Sequence, residues 1–107
     1  MIDNERLESA LAYLSHTDEL SASLKADVAR REYACDLARR RVFLLATGSI
    51  EERKAFAEVH EDVQRAEGQR ADAIVAYERI RAKRTTEALI VDVWRSVESS
   101  RRAGAMT

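Results

Sequence analysis

The chain has 107 residues, of which 46% are hydrophobic and 35% charged, so it is long enough for one domain and too apolar to be disordered. It has no proline and only three glycines, and this shortage of turn-forming residues excludes β-sandwich, barrel and α/β folds. Its formal net charge of −1 gives no argument for nucleic-acid binding and lacks the acidic excess of a DNA mimic. We therefore expect an all-α protein.

The first predicted element is a short amphipathic helix over residues 3–14. Leu7, Leu11 and Leu14 recur at steps of four and three residues, so they share one helix face. The polar run 15–18 predicts a break, because Ser and Thr side chains compete for backbone hydrogen bonds and often cap helices. A long helix over residues 18–46 follows, with Thr17 as its predicted cap.

The helix 18–46 carries a seam with the alternating four- and three-residue steps of a coiled coil. We predict that the seam consists of Leu24, Val28, Arg31, Cys35, Ala38, Val42 and Leu45, widened by Tyr33, Leu37 and Leu44. Residues 47–49 predict a turn, because Gly48 can end a helix in the left-handed conformation and Ser49 forms a capping box with Glu52. Two helices with so short a link should fold back as a long antiparallel helical hairpin.

The third predicted helix covers residues 50–97 and is followed by a basic tail, residues 98–107. Gly68 is the position where this helix could kink, since glycine costs about 1 kcal/mol against alanine in a helix. Nothing in the composition marks a linker, so we treat residues 1–107 as a single helical domain. The predicted seam of the third helix is Phe56, Val59, Val63, Ala66, Arg70, Ala73, Tyr77, Ile80, Arg84, Val91 and Trp94.

The segment 88–97 is apolar on nearly all sides, and a helix that is apolar all round tends to be buried all round. The third helix is longer than its partner, so this segment overhangs it. We expect a homo-oligomer with this segment at its centre, and the alternative is a monomeric bundle in which residues 3–14 cover it. The candidate interface residues are Leu89, Ile90, Val93, Trp94 and Val97.

The near-zero net charge conceals an acidic start and a basic end. Residues 1–20 carry one Arg against five acidic side chains, whereas residues 79–102 have a net charge of +4. The basic residues could form salt bridges with Asp18 and Glu19, or assembly could gather them into a surface for a phosphate backbone. In the second case the candidate DNA-binding residues are Arg79, Arg81, Lys83, Arg84, Arg101 and Arg102.

No catalytic, cofactor-binding or metal-binding motif stands out, and we expect a protein that is not an enzyme. Cys35 and His60 would lie at similar heights on facing helices, but a closed zinc site needs four ligands, so Cys35 is placed in the seam. A single cysteine and the lack of an apolar run of about 20 residues predict a soluble cytoplasmic protein without a disulfide or a membrane span.

Several features follow one another in a recognisable order. They are a long helix ending at residues 44–49, the sequence Glu52-Arg53-Lys54-Ala55, a long charged helix, the sequence Arg81-Ala82-Lys83-Arg84, an apolar run with Trp94, and a terminal Ser100-Arg101-Arg102. Over residues 18–103 this order resembles small helical phage proteins encoded among DNA-recombination genes and, more distantly, the UvsY-type recombination mediators. The resemblance implies an oligomeric helical protein that binds single-stranded DNA and helps to load a recombinase in place of a single-strand-binding protein.

The sequence therefore leads to two functional expectations. The first is a non-enzymatic accessory protein of phage DNA recombination or replication in the host cytoplasm. It would act as a homo-oligomer on single-stranded DNA, a recombinase or a single-strand-binding protein, without a cofactor. The alternative is a helical protein-interaction module, an adaptor or an inhibitor of a host factor, that does not bind DNA.

Overall fold

Three helices make up the computed structural model, which describes residues 2–105. Helix α1 spans Asn4–Leu45, α2 spans Ile50–Val59 and α3 spans Glu61–Ala105, with no strand in the described range. The prediction of an all-α fold is confirmed. The chain divides into two compact units, one formed by the chain up to Ser21 with the chain from Arg79 onward, the other by Ala22–Glu78.

The helices pair in an antiparallel sense within each unit. In the first unit, which we call the terminal unit, Arg6 contacts Glu87 while Asp18, further along α1, contacts the earlier residue Arg84. In the second unit, the turn unit, Arg31 contacts Gln69 and Arg39 contacts Glu58. Contacts at such long sequence separation between facing helices are those of a helical hairpin.

The predicted break at residues 15–18 does not occur, because α1 continues through it. Thr17 is not a helix cap: its hydroxyl donates to the carbonyl oxygen of Tyr13 at 2.7 Å, one turn earlier in the same helix. A Ser or Thr side chain bonded in this way is compatible with a helix interior, and extending an existing helix costs far less than starting a new one. The separate short helix 3–14 is therefore part of α1.

The turn at residues 46–49 has the predicted chemistry. Gly48 has a φ of +109°, and a Cβ placed there would lie 2.6 Å from the Glu52 carboxylate, so both conformation and space favour glycine. Ser49 is the N-cap of α2, and its Oγ accepts a hydrogen bond from the Glu52 backbone N–H at 3.1 Å. The cap satisfies one of the unpaired donors at the start of α2.

The helix after the turn breaks at His60, and Gly68 lies within α3. His60 has extended backbone angles, its N–H donates to the carbonyl of Ala57, and its Nδ1 accepts from the Asp62 N–H at 3.1 Å. A side chain that accepts from the second helical N–H acts as an N-cap, so one residue both ends α2 and starts α3. Glu61 and Asp62 then lie in the first turn, where the helix dipole favours acidic side chains.

This break changes which α2 side chains are buried. Ala57 is buried, whereas Phe56 and Val59, predicted as seam residues, are 50% and 78% exposed. On α1, Leu45 is also exposed at 82%, and Tyr33 and Leu44 are exposed as well. All of these predictions were wrong, for different reasons. For Phe56 and Val59, the seam was extrapolated through a one-residue break and lost its phase. On the unbroken helix α1, Leu45 is the last residue, and Leu44 lines an open groove beside α2.

Elsewhere the heptad seam is continuous and unusually polar. On α1 it includes Thr17 and Ser21, and on α3 it includes Arg70, Arg84 and Glu87. The fully buried side chains are small, and the largest of them are Val63 and Cys35. Full burial of a medium-sized apolar side chain contributes about 1.5–3 kcal/mol to the free energy of unfolding. Because few such side chains are fully buried, the seam stabilises the packing of the helices only modestly. The buried hydrophobic residues are Ala10, Cys35, Val42, Ala57, Val63, Ala73 and Val91.

The predicted basic tail is helical as far as the structure describes it, since α3 continues to Ala105. The last two residues of that predicted segment, Met106 and Thr107, lie outside the described residues. Between residues 2 and 105 we find no helix with the length and apolarity required to cross a membrane.

Candidate interaction surfaces

Arg84 is the most strongly bound of the candidate DNA-binding residues. Its guanidinium donates to the Leu14 carbonyl at 2.8 Å, to the Thr17 hydroxyl at 2.6 Å and to the Asp18 carboxylate at 2.5 Å. The predicted pairing of the basic cluster with the acidic start of the chain is thus confirmed for Arg84 and Asp18. A phosphate would have to displace these contacts, so Arg84 is a structural residue of the terminal unit.

The other candidate basic residues lie in different environments. The Lys83 ammonium lies 4.5 Å from the centroid of the Tyr13 ring, a cation–π distance, and Arg101 pairs with Glu98 at 3.3 Å. Arg81 lines a shallow groove together with Arg84. Arg79 and Arg102 are exposed, and neither has an ion-pair partner within the part of the chain that the structure describes.

The charges of the terminal unit balance. Residues 1–21 carry a net charge of −4 and residues 79–107 carry +4. The chain thus places opposite charges together in one unit. The Arg84–Asp18 salt bridge neutralises one cation of the basic segment, whereas Arg6–Glu87 pairs the one arginine of the acidic segment with an acid of the basic segment. Between residues 2 and 105, positive charge that is not neutralised by a salt bridge therefore lies at individual exposed residues such as Arg79 and Arg102.

Glu87 is a buried charge that the sequence pattern did not reveal. It is 7% exposed and its Oε2 accepts from Arg6 Nη2 at 2.6 Å. Position 87 is three residues after Arg84 and four before Val91, which is a seam position. The seam spacing was the available signal, but a glutamate at that spacing is normally assigned to the solvent side.

The candidate oligomer interface divides into two sets. Leu89 and Val93 are 61% and 43% exposed and face away from α1, whereas Val97, which is 42% exposed, lines a groove with Asn4 at the start of α1. Ile90 and Trp94 are half-buried, and Trp94 lines a groove with Ile2 at the N-terminal end of the terminal unit. Residues 88–97 therefore pack partly on α1, yet the outer side of the segment remains uncovered.

The outer side of α3 carries a second heptad pattern, which we call the outer seam. Its residues recur at alternating steps of four and three, every one is exposed, and none is charged. Such spacing places them in one stripe along the helix. The outer seam is Ala82, Thr86, Leu89, Val93, Ser96, Ser100 and Ala103.

The turn unit contains a charged cluster beside Cys35. Arg39 hydrogen-bonds both Glu58, at 2.9 Å, and Glu67, and Glu67 also contacts Arg70 at 3.3 Å. Burial alone would raise the pKa of Glu67, but the hydrogen bonds and charges of Arg39 and Arg70 outweigh it, so its pKa is lowered. Burial, with a contribution from the Glu67 charge, raises the pKa of the Cys35 thiol, which is a buried free cysteine.

The cluster makes the stability of the turn unit depend on pH. Because the pKa of Glu67 is lower in the folded state than its ordinary value of 4.5, its stabilising effect is complete above that value. The effect is lost as pH falls through the folded-state pKa. We expect Glu67→Gln to lower the free energy of unfolding by about 1 kcal/mol at pH 7, as for a partly exposed charged hydrogen bond.

Urea titrations at pH 7 and at pH 3 test this expectation. The stability difference between wild type and Glu67→Gln should be smaller at pH 3, because below 4.5 the Glu67 carboxyl of the unfolded state takes up a proton and the stabilising contribution decreases. Glu61→Gln is the control, since Glu61 pairs with Arg65 at the surface. An equal difference at both pH values would show that the Glu67 carboxylate charge does not act through Arg39 and Arg70.

The side chains considered for zinc do not come together. Cys35 lies beside Glu67 and Arg70, whereas the His60 ring nitrogen is hydrogen-bonded at the start of α3. Among the described residues, no three His, Cys, Asp or Glu side chains are grouped so that they could hold a metal ion.

Sequence reasoning also missed an apolar groove at the turn end of the turn unit. It has a volume of about 600 Å³ and lies between the last turns of α1 and helix α2. Phe43, Leu44 and Ala57 supply its apolar lining. The exposed hydrophobic side chains nearest in sequence are Leu45, Ile50, Phe56 and Val59.

Comparison of the chain with protein-family models, with curated proteins and with solved structures gave no match.

Proposed function

We propose that the chain is a non-enzymatic helical interaction protein that acts as a homo-oligomer. The observation that carries this proposal is the outer seam, an exposed and uncharged heptad stripe on α3. Leu89 and Val93 supply exposed apolar surface at the centre of this stripe, and covering such surface removes it from water, which favours association there. Within this class, the chain would serve as an adaptor or as an inhibitor of another protein.

The order of residues in the outer seam favours a second copy as its partner. The larger side chains, Leu89 and Val93, lie near its middle, and small residues lie toward both ends. In a two-fold antiparallel pair, Leu89 of one copy lies against Val93 of the other, and the small residues let the helices approach closely. The stripe from Ala82 to Ala103 is roughly 32 Å long at about 1.5 Å per residue.

Sedimentation equilibrium of the purified chain over a range of concentrations tests this proposal. The expected result is a mass that is a multiple of 12.1 kDa and falls on dilution. A mass of one chain at all concentrations would contradict the proposed self-association.

A second candidate function is that of an accessory protein of phage DNA recombination or replication that binds single-stranded DNA, a recombinase or a single-strand-binding protein. The observation that favours it is that Arg79 and Arg102 are exposed on α3, within a segment with a net charge of +4. An oligomer would bring several copies of these residues together, and multiple phosphate contacts are what single-stranded DNA binding requires.

For this candidate we expect Arg79→Glu with Arg102→Glu to weaken binding of a labelled single-stranded oligonucleotide by at least about tenfold at low salt. The slope of log affinity against log salt concentration should also decrease, because fewer counterions are released. Lys25→Glu is the control, a single charge reversal at an exposed cation on α1 of the turn unit. Salt-insensitive binding, or equal affinities for all three proteins, would contradict the DNA candidate and leave the protein-interaction proposal standing.

A further inference from the structure

The groove at the turn end combines a concave apolar lining with cations on both of its walls. On α1, Phe43 and Leu44 line it, and Leu44 is 78% exposed. On α2, Ala57 closes it from the other side and is itself buried. The Arg53 guanidinium lies 5.7 Å from the centroid of the Phe43 ring, a cation–π contact.

The charges at the groove do not cancel. Of the cations and anions that line it, Arg39 and Glu58 form a salt bridge with each other at 2.9 Å. The remaining two, Arg40 on α1 and Lys54 on α2, are exposed and have no ion-pair partner between residues 2 and 105. The groove thus has an apolar lining and an uncompensated positive charge on each wall.

From this arrangement we propose that the groove binds an amphipathic helix of a partner protein whose apolar face is flanked by acidic side chains. A helix laid into a groove between two helices buries its apolar face against the lining. Its flanking carboxylates would meet Arg40 and Lys54, and such complementary charges select the partner and its orientation.

Other occupants fit the groove less well. A nucleic acid strand needs a continuous row of cations, whereas of the three described cations that line this groove Arg39 is paired with Glu58, and the other two are separated by apolar side chains. A membrane surface favours apolar side chains that project outward, whereas this lining is concave. This inference goes beyond self-association, because the groove and the outer seam belong to different units of the chain.

The test uses two fluorescein-labelled designed peptides of equal length and apolar face, one with Glu and one with Lys at every polar position. Fluorescence anisotropy should show saturable binding of the acidic peptide, at least about tenfold tighter than that of the basic peptide. Arg40→Glu with Lys54→Glu should reverse this preference, and Leu44→Asp should abolish binding of both peptides. Lys25→Glu, a single charge reversal at an exposed position of α1 away from the groove, should have no effect.

Two further measurements separate groove binding from self-association and from membrane binding. The peptide titration is repeated with Leu89→Glu, the variant that should prevent self-association. Peptide binding should persist in this variant, so that a failure of self-association is distinguished from a failure of groove binding. The chain is also mixed with vesicles containing anionic lipid. Equal binding of the two peptides, indifference to the Arg40 and Lys54 changes, absence of peptide binding, or binding to vesicles alone would each overturn the proposal.

Discussion

Leu89→Glu is expected to convert the proposed oligomer into single chains. In an antiparallel pair each copy would place a carboxylate against the apolar residues of the other, and a buried unpaired charge costs several kcal/mol. We expect the dissociation constant to rise at least about a hundredfold. The folded chain itself should be little affected, because Leu89 is 61% exposed and makes no part of the seam with α1. Sedimentation equilibrium gives the mass, and circular dichroism verifies the helix content.

The matched control for this variant is Leu20→Glu, which makes the same change at a residue that is 51% exposed on α1 of the same unit. It should leave the mass unchanged. If both variants remain oligomeric, the outer seam is not the interface. If both become single chains, the effect is a general response to added negative charge and the account of the interface is wrong.

Removing the partner of Glu87 is expected to have the largest effect on stability. Arg6→Met leaves a carboxylate that is 7% exposed without its hydrogen-bond partner. Breaking a fully buried ion pair typically costs about 3–5 kcal/mol, and because the Arg6 side chain is 40% exposed we expect about 2 kcal/mol. Urea unfolding at a fixed chain concentration measures the loss.

The double variant Arg6→Met with Glu87→Met should recover most of this stability, since apolar side chains of similar length can replace a buried ion pair. Arg30→Met is the control, because Arg30 pairs with Asp27 at the surface and its side chain is 68% exposed. We expect it to cost less than about 0.5 kcal/mol. If Arg6→Met and Arg30→Met have equal effects, Glu87 does not depend on Arg6 for its burial.

The helical class and the turn were predictable because local chemistry determines them. The shortage of glycine and proline indicates helices, and the sequence Gly48-Ser49 with Glu52 specifies the turn through conformation and capping. The buried positions Cys35 and Val42 of α1, and Val63 and Ala73 of α3, followed from heptad spacing, because each of these helices is itself uninterrupted.

The two errors in helix boundaries have different origins. At Thr17 the sequence offered a capping residue, but the hydroxyl is satisfied by the preceding turn and by Arg84 from α3. At His60 the sequence offered no glycine or proline, but the imidazole caps α3 and two acidic residues follow it. In the first case a contact from a distant segment decides the outcome, and in the second an unusual capping residue does.

The candidate sites were only partly predictable for a similar reason. The sequence identified the basic residues of α3, but it could not tell that Arg84 is held by three groups of α1 while Arg79 is exposed. It also marked residues 88–97 as apolar without separating the half-buried Trp94 from the exposed Leu89. That separation depends on which side of α3 faces α1, and the rotation of the helix is fixed by packing along the whole seam.

A spin-label measurement tests the central claim, self-association through the outer face of α3, most directly. A nitroxide is attached at Val93→Cys in a Cys35→Ser background, and at Ala12→Cys on the exposed side of α1 as the control. We predict dipolar broadening of the frozen-solution spectrum for the label at position 93, its loss on dilution with unlabelled chains, and none at position 12. An unbroadened spectrum at position 93 from a sample shown to be oligomeric would contradict the account.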